Sequence, residues 1–480
     1  MLIDKRFFMQ FEKKENLFER TYNGIPYWQM LRFMVCEDVY SDYIKNEDRV
    51  RAKKRKKRIA SQMMLYPYEF IKALLCFKNI SNCDVLCFRN LGKHVETDRC
   101  FDTWVMPSGL KVQSVDISLE STNLPADCRY SIAAPYFTAQ VNYALKRFLR
   151  TVKRDEKEYS FLKELELKLK RQFGQTVSAC RMEREIIHWI EFDNVFVPFY
   201  EKLFEETNCK AILVDCYYNN FLYAAYRVAQ KRGIRVIELQ HGVISNHEEY
   251  WFEDQRGINN YTPDYFLTFG ETHISWTKLL SKTRAISVGF PFQERQINEW
   301  HDLKTEDKTV VVYPQAETDF EQVIDEFANV AVQNGFRVIL KLHPMQAVDP
   351  ACYYPVLVNN KNIEIVAQQD KSIYYWLKLA KHHVMANTTV GLEAVAFNHT
   401  NVCIATNVSH VQTQPLLEWG VARGFATAGD LMQLIECPIS GDCSNARSGL
   451  WRPNAEQNIQ MFFRNLKAQD WPEGKNYVSQ

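Results

Sequence analysis

The chain has 480 residues, a formal net charge of +1 and 13% aromatic residues. That length predicts two domains or more, each with its own core, and the near-neutral balance argues against nucleic acid as a partner. The 13 cysteines are scattered; the closest pairs, Cys83/Cys87 and Cys437/Cys443, have no second pair or histidine at zinc-finger spacing, so reduced thiols and no metal site are expected.

The N-terminus lacks the apolar core of a signal peptide, and no window offers the roughly 18 uncharged apolar residues that span a bilayer. A cytoplasmic protein is expected. Asn23-Gly24-Ile25-Pro26 is a turn signal, and Tyr27-Trp28-Gln29-Met30 reads as a helix start that packs the N-terminus onto the first domain. Arg51 and the run Lys53-Lys54-Arg55-Lys56-Lys57-Arg58 form the strongest local charge anomaly. One reading is a solvated linker. The other is contact with anionic lipid on the inner face of the plasma membrane, because Met63-Met64-Leu65-Tyr66-Pro67-Tyr68 beside it is rich in interfacial residues.

From Cys83 the pattern turns α/β. Asp84–Phe88 and Val112–Asp116 read as strands, and a helical insert is expected from about 136 to 205. Ala211–Val214 is a strand with Asp215 at its end. A helix over 220–231 and a strand over Ile234–Leu239 complete a βαβ unit, which brings Asp215 and Gln240-His241-Gly242 to one sheet edge. Further strands are expected at 263–270 and 285–291. The polar stretch 293–308 suggests a domain boundary near residue 300. A second α/β domain follows, with strands near 309–313, 337–342, 363–367, 383–386 and 401–405. Past Gly429 the pattern is less regular, ending in a helix over about 455–467 that crosses back to the first domain.

Two strand ends in this second domain carry the candidate chemistry. Arg337–Leu342 runs into His343-Pro344, with Lys341 close by, and Pro344 fixes the direction of exit. His383–Ala386 runs into Asn387-Thr388-Thr389-Val390-Gly391-Leu392-Glu393. Small hydroxyl residues at a helix start point N–H groups and hydroxyls the same way, as a phosphate cradle does. Gly391 lets a ligand approach the backbone, and Glu393 is placed to accept from ribose hydroxyls. The competing reading of the Thr pair is ordinary helix capping. In the first domain Asp215 and His241 are the candidates for a general base. There is no glycine-rich dinucleotide fingerprint, Walker loop or Ser-His-Asp order.

Lys341-Leu342-His343-Pro344 and Asn387-Thr388-Thr389-Val390-Gly391-Leu392-Glu393-Ala394 resemble the "HP" and paired-hydroxyl motifs of bacterial sialyltransferases, polysialyltransferases and capsule Kdo-transferases. Glu238-Leu239-Gln240-His241-Gly242 and Val288-Gly289-Phe290-Pro291 look like the "QHG" and "VGxP" signatures of surface-polysaccharide transferases of the two-domain GT-B type. The likeness covers about residues 210–405. It departs from the pattern in having Thr-Thr where Ser is common.

The resemblance implies an α/β protein with two Rossmann-like domains facing a cleft: residues 1–300 for the acceptor and 301–480 for the donor nucleotide. It implies a nucleotide-sugar donor whose phosphate is held by His343, Thr388 and Thr389; with the residue reading above, the expected set for a CMP- or UDP-linked donor is Lys341, His343, Pro344, Thr388, Thr389, Gly391 and Glu393. A saccharide or lipid-linked acceptor would be activated by Asp215 or His241, with no metal and no separate cofactor. Three alternatives stay open: a nucleotide-sugar 2-epimerase, a CDP-glycerol-type polyol-phosphate transferase, and a non-catalytic scaffold of polysaccharide assembly.

Overall fold

The computed structural model describes residues 5–40, 82–89, 105, 108–116, 133–149, 151–174, 177–214, 222–240, 242, 262–276, 283–315, 318–343, 346–368, 370–397, 399, 401–408, 410, 412–437 and 443–468. Asp215, His241, Pro344 and the basic run 51–58 lie outside them. Among the described residues, those up to Glu238 together with 262–265 form one compact unit, and 239–242 with 266–468 form the other.

The N-terminus is a small helical body. After the helix Lys5–Lys14, strands β1 (Thr21–Tyr22) and β2 (Ile25–Pro26) form a hairpin. Its turn is Asn23-Gly24, both with positive φ (50° and 81°), the conformation a two-residue hairpin turn requires. The helix Trp28–Tyr40 follows. Tyr22 donates to Glu183 at 3.0 Å and Tyr27 to Glu158 at 2.6 Å, so the hairpin is pinned to the insert. Arg20 adds a two-pronged pair with Glu158 (2.9 and 2.6 Å).

The expected insert is three helices, Ala133–Leu149, Glu156–Phe173 and Ala179–Thr207. The second has Asp155 as its N-cap and Gly174 at φ 74° as its C-cap, and buries Leu162, Leu165, Leu169 and Phe173 along one face.

The first sheet has the order β4-β3-β5-β6-β7-β8, formed by β3 (Val85–Arg89), β4 (Val112–Asp116), β5 (Ala211–Val214), β6 (Arg235–Leu239), β7 (Tyr265–Thr268) and β8 (Arg284–Ser287). Strands β3 to β6 run parallel, and all four residues of β5 are buried, as a strand covered on both faces requires.

The second sheet is formed by β9 (Glu306–Tyr313), β10 (Arg337–Lys341), β11 (Ile363–Val366), β12 (Ala380–Met385), β13 (Val402–Ala405) and β14 (Arg423–Phe425). It is parallel throughout, in the order β11-β10-β9-β12-β13-β14. Counted from β9 this is 3-2-1-4-5-6, the order of a dinucleotide-binding Rossmann sheet. Its core joins Val310, Val312, Leu340 and Val384 to Phe320, Ile324, Phe327, Leu431 and Ile435 of flanking helices. The chain is therefore an α/β protein with two Rossmann-like sheets.

The polar stretch 293–308, where a domain boundary is expected, holds most of the helix Pro291–Glu299 and the start of β9. One local expectation is corrected. The region past Gly429 is regular, with helices Ala428–Glu436, Ser444–Leu450 and Ala455–Ala468. The last of these helices bonds residues 288–295, which belong to the 1–300 stretch it was expected to reach. There Ala455 N donates to Glu294 at 3.0 Å, Arg295 pairs with Glu456 at 2.6 Å and Asn458 donates to the Val288 carbonyl at 3.0 Å.

Candidate functional site

Ligands of open α/β sheets sit beyond the carboxyl ends of strands where the strand order reverses. In the second sheet that point lies between β9 and β12. Register puts Leu340 of β10 beside Val312 of β9, and Met385 of β12 beside Tyr313 of β9. His343, two residues past β10, and Thr388, three past β12, therefore leave the same edge on either side of β9. Two strand spacings separate the exits, about 10 Å.

His343 is exposed and opens a turn. Its N–H donates to Gln346 Oε1 at 3.2 Å, and its carbonyl accepts from the N–H groups of Gln346 and Ala347 at 2.8 and 3.0 Å. Lys341 is 5% exposed, and its ammonium donates to the Gln368 carbonyl at 2.9 Å. Burial pushes its pKa down to about 8, against the pull of Asp370. Lys341 thus ties the end of β10 to the exit from β11.

The Thr pair stands just before the helix Val390–Ala396. Thr389 occupies the N-cap position in helical conformation, with no side-chain cap bond, so ordinary capping does not describe it. Leu392 and Glu393 donate to the Thr389 carbonyl at 3.0 and 3.3 Å, and Gly391 to that of Thr388 at 3.4 Å. The expected array of open first-turn donors is smaller than the sequence suggests. What remains on this turn is the N–H groups of Thr388 and Thr389 and both hydroxyls, the Thr388 oxygen accepting weakly from Val390 N at 3.4 Å. A half-buried corner with four such groups can bind phosphate oxygens.

Gly391 serves a different purpose from the expected one. A Cβ there would stand 2.9 Å from Leu416 Cδ1 and from Met385 Sδ, and 3.3 Å from Thr413 Cγ2. Its missing side chain makes room for protein, not for a ligand. Glu393 is half-buried, and its charge acts on Tyr313 at the end of β9, whose phenol burial and that charge hold well above its ordinary pKa.

Sequence reasoning missed the parts that hold this corner. Thr413, fully buried, donates its hydroxyl to the Ala386 carbonyl at 2.6 Å, and Asn387 Oδ1 accepts from Gln412 N at 2.8 Å. The segment beyond β13 thereby straps the turn before the Thr pair. Beneath the turn, Tyr313 and His383 are linked at 3.3 Å through the phenol oxygen and Nδ1, and the His383 and His399 rings lie 4.7 Å apart. No pattern of short-range spacing in the sequence marks either contact.

In the first sheet the strand order counted from β3 is 2-1-3-4-5-6, so the reversal lies between β3 and β5. Asp215 directly follows β5, and His241 comes two residues after β6, the neighbouring strand. Gln240, 2% exposed, accepts from Phe269 N at 2.8 Å and donates to the Gly242 carbonyl at 2.7 Å. Gln240 thus links the Gly242 carbonyl to the backbone just past β7. Gly289 has φ +94°, and a Cβ there would lie 2.3 Å from the Arg452 carbonyl. Among the described residues no group of three or more His, Cys, Asp or Glu is placed to hold a metal ion, and no helix is long and apolar enough to cross a membrane.

No protein-family model matches the chain, and no curated protein matches it. Among solved structures, it is similar to the UDP-GlcNAc 2-epimerase of Methanocaldococcus jannaschii solved with UDP-GlcNAc and UDP (13% identity, 80% of this chain and 99% of that one, TM-score 0.45). It is also similar to the glycotransferase of kitacinnamycin (13%, 81% and 99%, TM-score 0.47). A third is Os79 from O. sativa in complex with UDP (11%, 80% and 95%, TM-score 0.43). Similarity at this level transfers no activity.

Proposed function

We propose that this chain is a GT-B glycosyltransferase that moves a sugar from a CMP- or UDP-linked donor to a saccharide or lipid-linked acceptor in capsule or other surface-polysaccharide synthesis. The observation that carries this reading is the exit of His343 and of Thr388-Thr389 from one edge of a 3-2-1-4-5-6 sheet, on either side of β9 at its reversal point. Residues 301–480 are the donor half in this reading and residues 1–300 the acceptor half.

The acceptor oxygen attacks the anomeric carbon, and the bond from that carbon to the nucleotide phosphate breaks. Negative charge collects on the departing phosphate. Donors held in place for that charge act on the transition state more than on the bound substrate, and His343, Thr388 and Thr389 supply them without a metal. Asp215 or His241 takes the acceptor proton.

The test is a thermal-shift screen of the full chain against CMP, UDP, GDP, CDP and their sugar conjugates. Ligand that binds only the folded state raises the melting temperature by mass action. A shift with one nucleotide, lost in His343→Ala with the fold intact, is expected. No shift with any of them would overturn the donor site. Conversion of the donor sugar without an acceptor would make the chain an epimerase.

A further inference from the structure

We propose that the outer face of the helix Ala133–Leu149 is a docking surface for an anionic lipid bilayer. The helix has one face committed to the protein. Ala139 and Tyr143 are buried, and the Tyr143 ring meets Phe192 edge-on at 5.7 Å, on the helix Ala179–Thr207. Its phenol also bonds His188 of that helix. At about 100° per residue, Val141, Leu145, Phe148 and Leu149 fall on the opposite side. They are 52%, 54%, 83% and 62% exposed, although their side chains are apolar. Their i, i+4, i+7, i+8 spacing makes one stripe, not a scatter of single residues.

Charge identifies the occupant. Between Asp127 and Asp155 the sequence contains no acidic residue but has Arg129, Lys146, Arg147, Arg150, Lys153 and Arg154. Arg154 is committed to Glu183 at 2.8 and 2.7 Å and Arg147 donates to the Tyr143 phenol at 3.2 Å, which leaves Lys146 and Lys153, with Arg150 between them in the sequence, to give the end of the stripe its positive charge. A second copy of this chain seated on the stripe would oppose these like charges across a two-fold contact. The basic run 51–58 of this same chain would be repelled as well. A bilayer of anionic lipid satisfies both features: the apolar side chains enter the headgroup–acyl boundary, and the cations lie among the phosphates. Long basic side chains beside such a stripe can keep their heads at the phosphate level while their stems cover apolar surface.

This surface is independent of the donor site, so either proposal can fail alone. The experiment is vesicle flotation of the full chain with phosphatidylcholine vesicles and with mixed phosphatidylglycerol–phosphatidylcholine vesicles. Binding to the mixed vesicles only, weakening as salt rises, is expected. Leu145→Gln/Phe148→Gln should cut the bound fraction about tenfold or more, with melting temperature unchanged because both side chains already face solvent. Leu149→Gln, a single change at the stripe's edge, should give a smaller loss and serves should the double variant be unstable. Undiminished binding by the variants would overturn the proposal and move attachment to another segment. So would absence of vesicle binding by the parent, or a concentration-dependent oligomer that the double variant converts to monomer.

Discussion

Thr413 Oγ1 donates to the carbonyl of Ala386 across 2.6 Å, in a site closed to solvent. The His410 carbonyl, 3.0 Å from the same hydroxyl, already accepts from Thr413 N and Gln414 N, so the single hydroxyl proton is directed at Ala386. This bond fixes where β12 ends and thus where Thr388 and Thr389 present their donors. Thr413→Val keeps the shape and deletes the bond, leaving a buried carbonyl without it, at a cost of about 1–3 kcal/mol. We expect a lower melting temperature and a donor KM raised about tenfold. Thr413→Ser, which keeps the hydroxyl, should restore KM; a Ser variant as impaired as Val would reduce Thr413 to packing alone.

Gly289→Ala should be far more damaging than its size suggests. The position is at φ +94°, and the added methyl would meet the Arg452 carbonyl at 2.3 Å and Ala455 Cβ at 2.7 Å. Neither neighbour is the end of a flexible side chain. Arg452 is itself fastened, its N–H donating to the Phe269 carbonyl and its guanidinium to that of Ser287, both at 2.8 Å. Loss of about 3 kcal/mol or more is expected from combined strain and overpacking, read as a fall in denaturant midpoint. By contrast, Gly335→Ala, also at positive φ (74°) but with only the Lys308 ammonium near, 3.4 Å away, should cost less.

Much of the second sheet was legible because its strands are continuous buried runs: Val310-Val311-Val312 and Val338-Ile339-Leu340 admit few other readings. The strand β9 nevertheless begins at Glu306, among charges that find partners outside any local window, such as Lys381 on Asp307 at 3.0 Å. The segment 293–308 suggested a domain boundary for the same reason. Glu294 and Arg295 are polar because they receive Ala455 and Glu456, 161 residues away. Strand β14 was missed, since Arg423-Gly424-Phe425 is three residues with a glycine at its centre. At the candidate site the strand exits were readable from punctuation by Pro and Thr. The strap from Thr413 and Gln412 was not, because it joins residues 27 and 25 apart through a hydroxyl and a backbone amide.

Gln240 offers a way to separate its link to Gly242 from the donor corner. Its amide oxygen accepts from Phe269 N and its amide nitrogen donates to the Gly242 carbonyl. Gln240→Glu retains the first bond and sets a carboxylate oxygen against a carbonyl oxygen in place of the second. If His241 or Asp215 takes the acceptor proton, kcat should fall about tenfold or more as that link is lost, in line with what a positioned acid–base group contributes. Donor binding by thermal shift should be unchanged. A variant that loses nucleotide binding instead would mean that this link belongs to the donor site.

The sheet beneath the Thr pair carries a built-in sensitivity to acid. Burial holds His382 and His399 down at about 4 and His383 well below its ordinary value, so all three are neutral in the folded chain. Unfolded, they titrate near 6.5. Between those values the unfolded state binds more protons than the folded one, so stability falls as pH drops from about 6.5 towards 4 and is flat in this respect above 6.5. Each histidine contributes up to roughly 1.4 kcal/mol per pH unit across that window. Melting temperatures taken from pH 7.5 down to about 4.5 should therefore decline more steeply in the parent than in His382→Gln, which removes one of the three groups and leaves the Tyr313–His383 bond in place. Equal slopes in the two proteins would show that this histidine does not resist protonation in the folded state. The reverse order, a parent less acid-sensitive than the variant, would require its folded pKa to be raised.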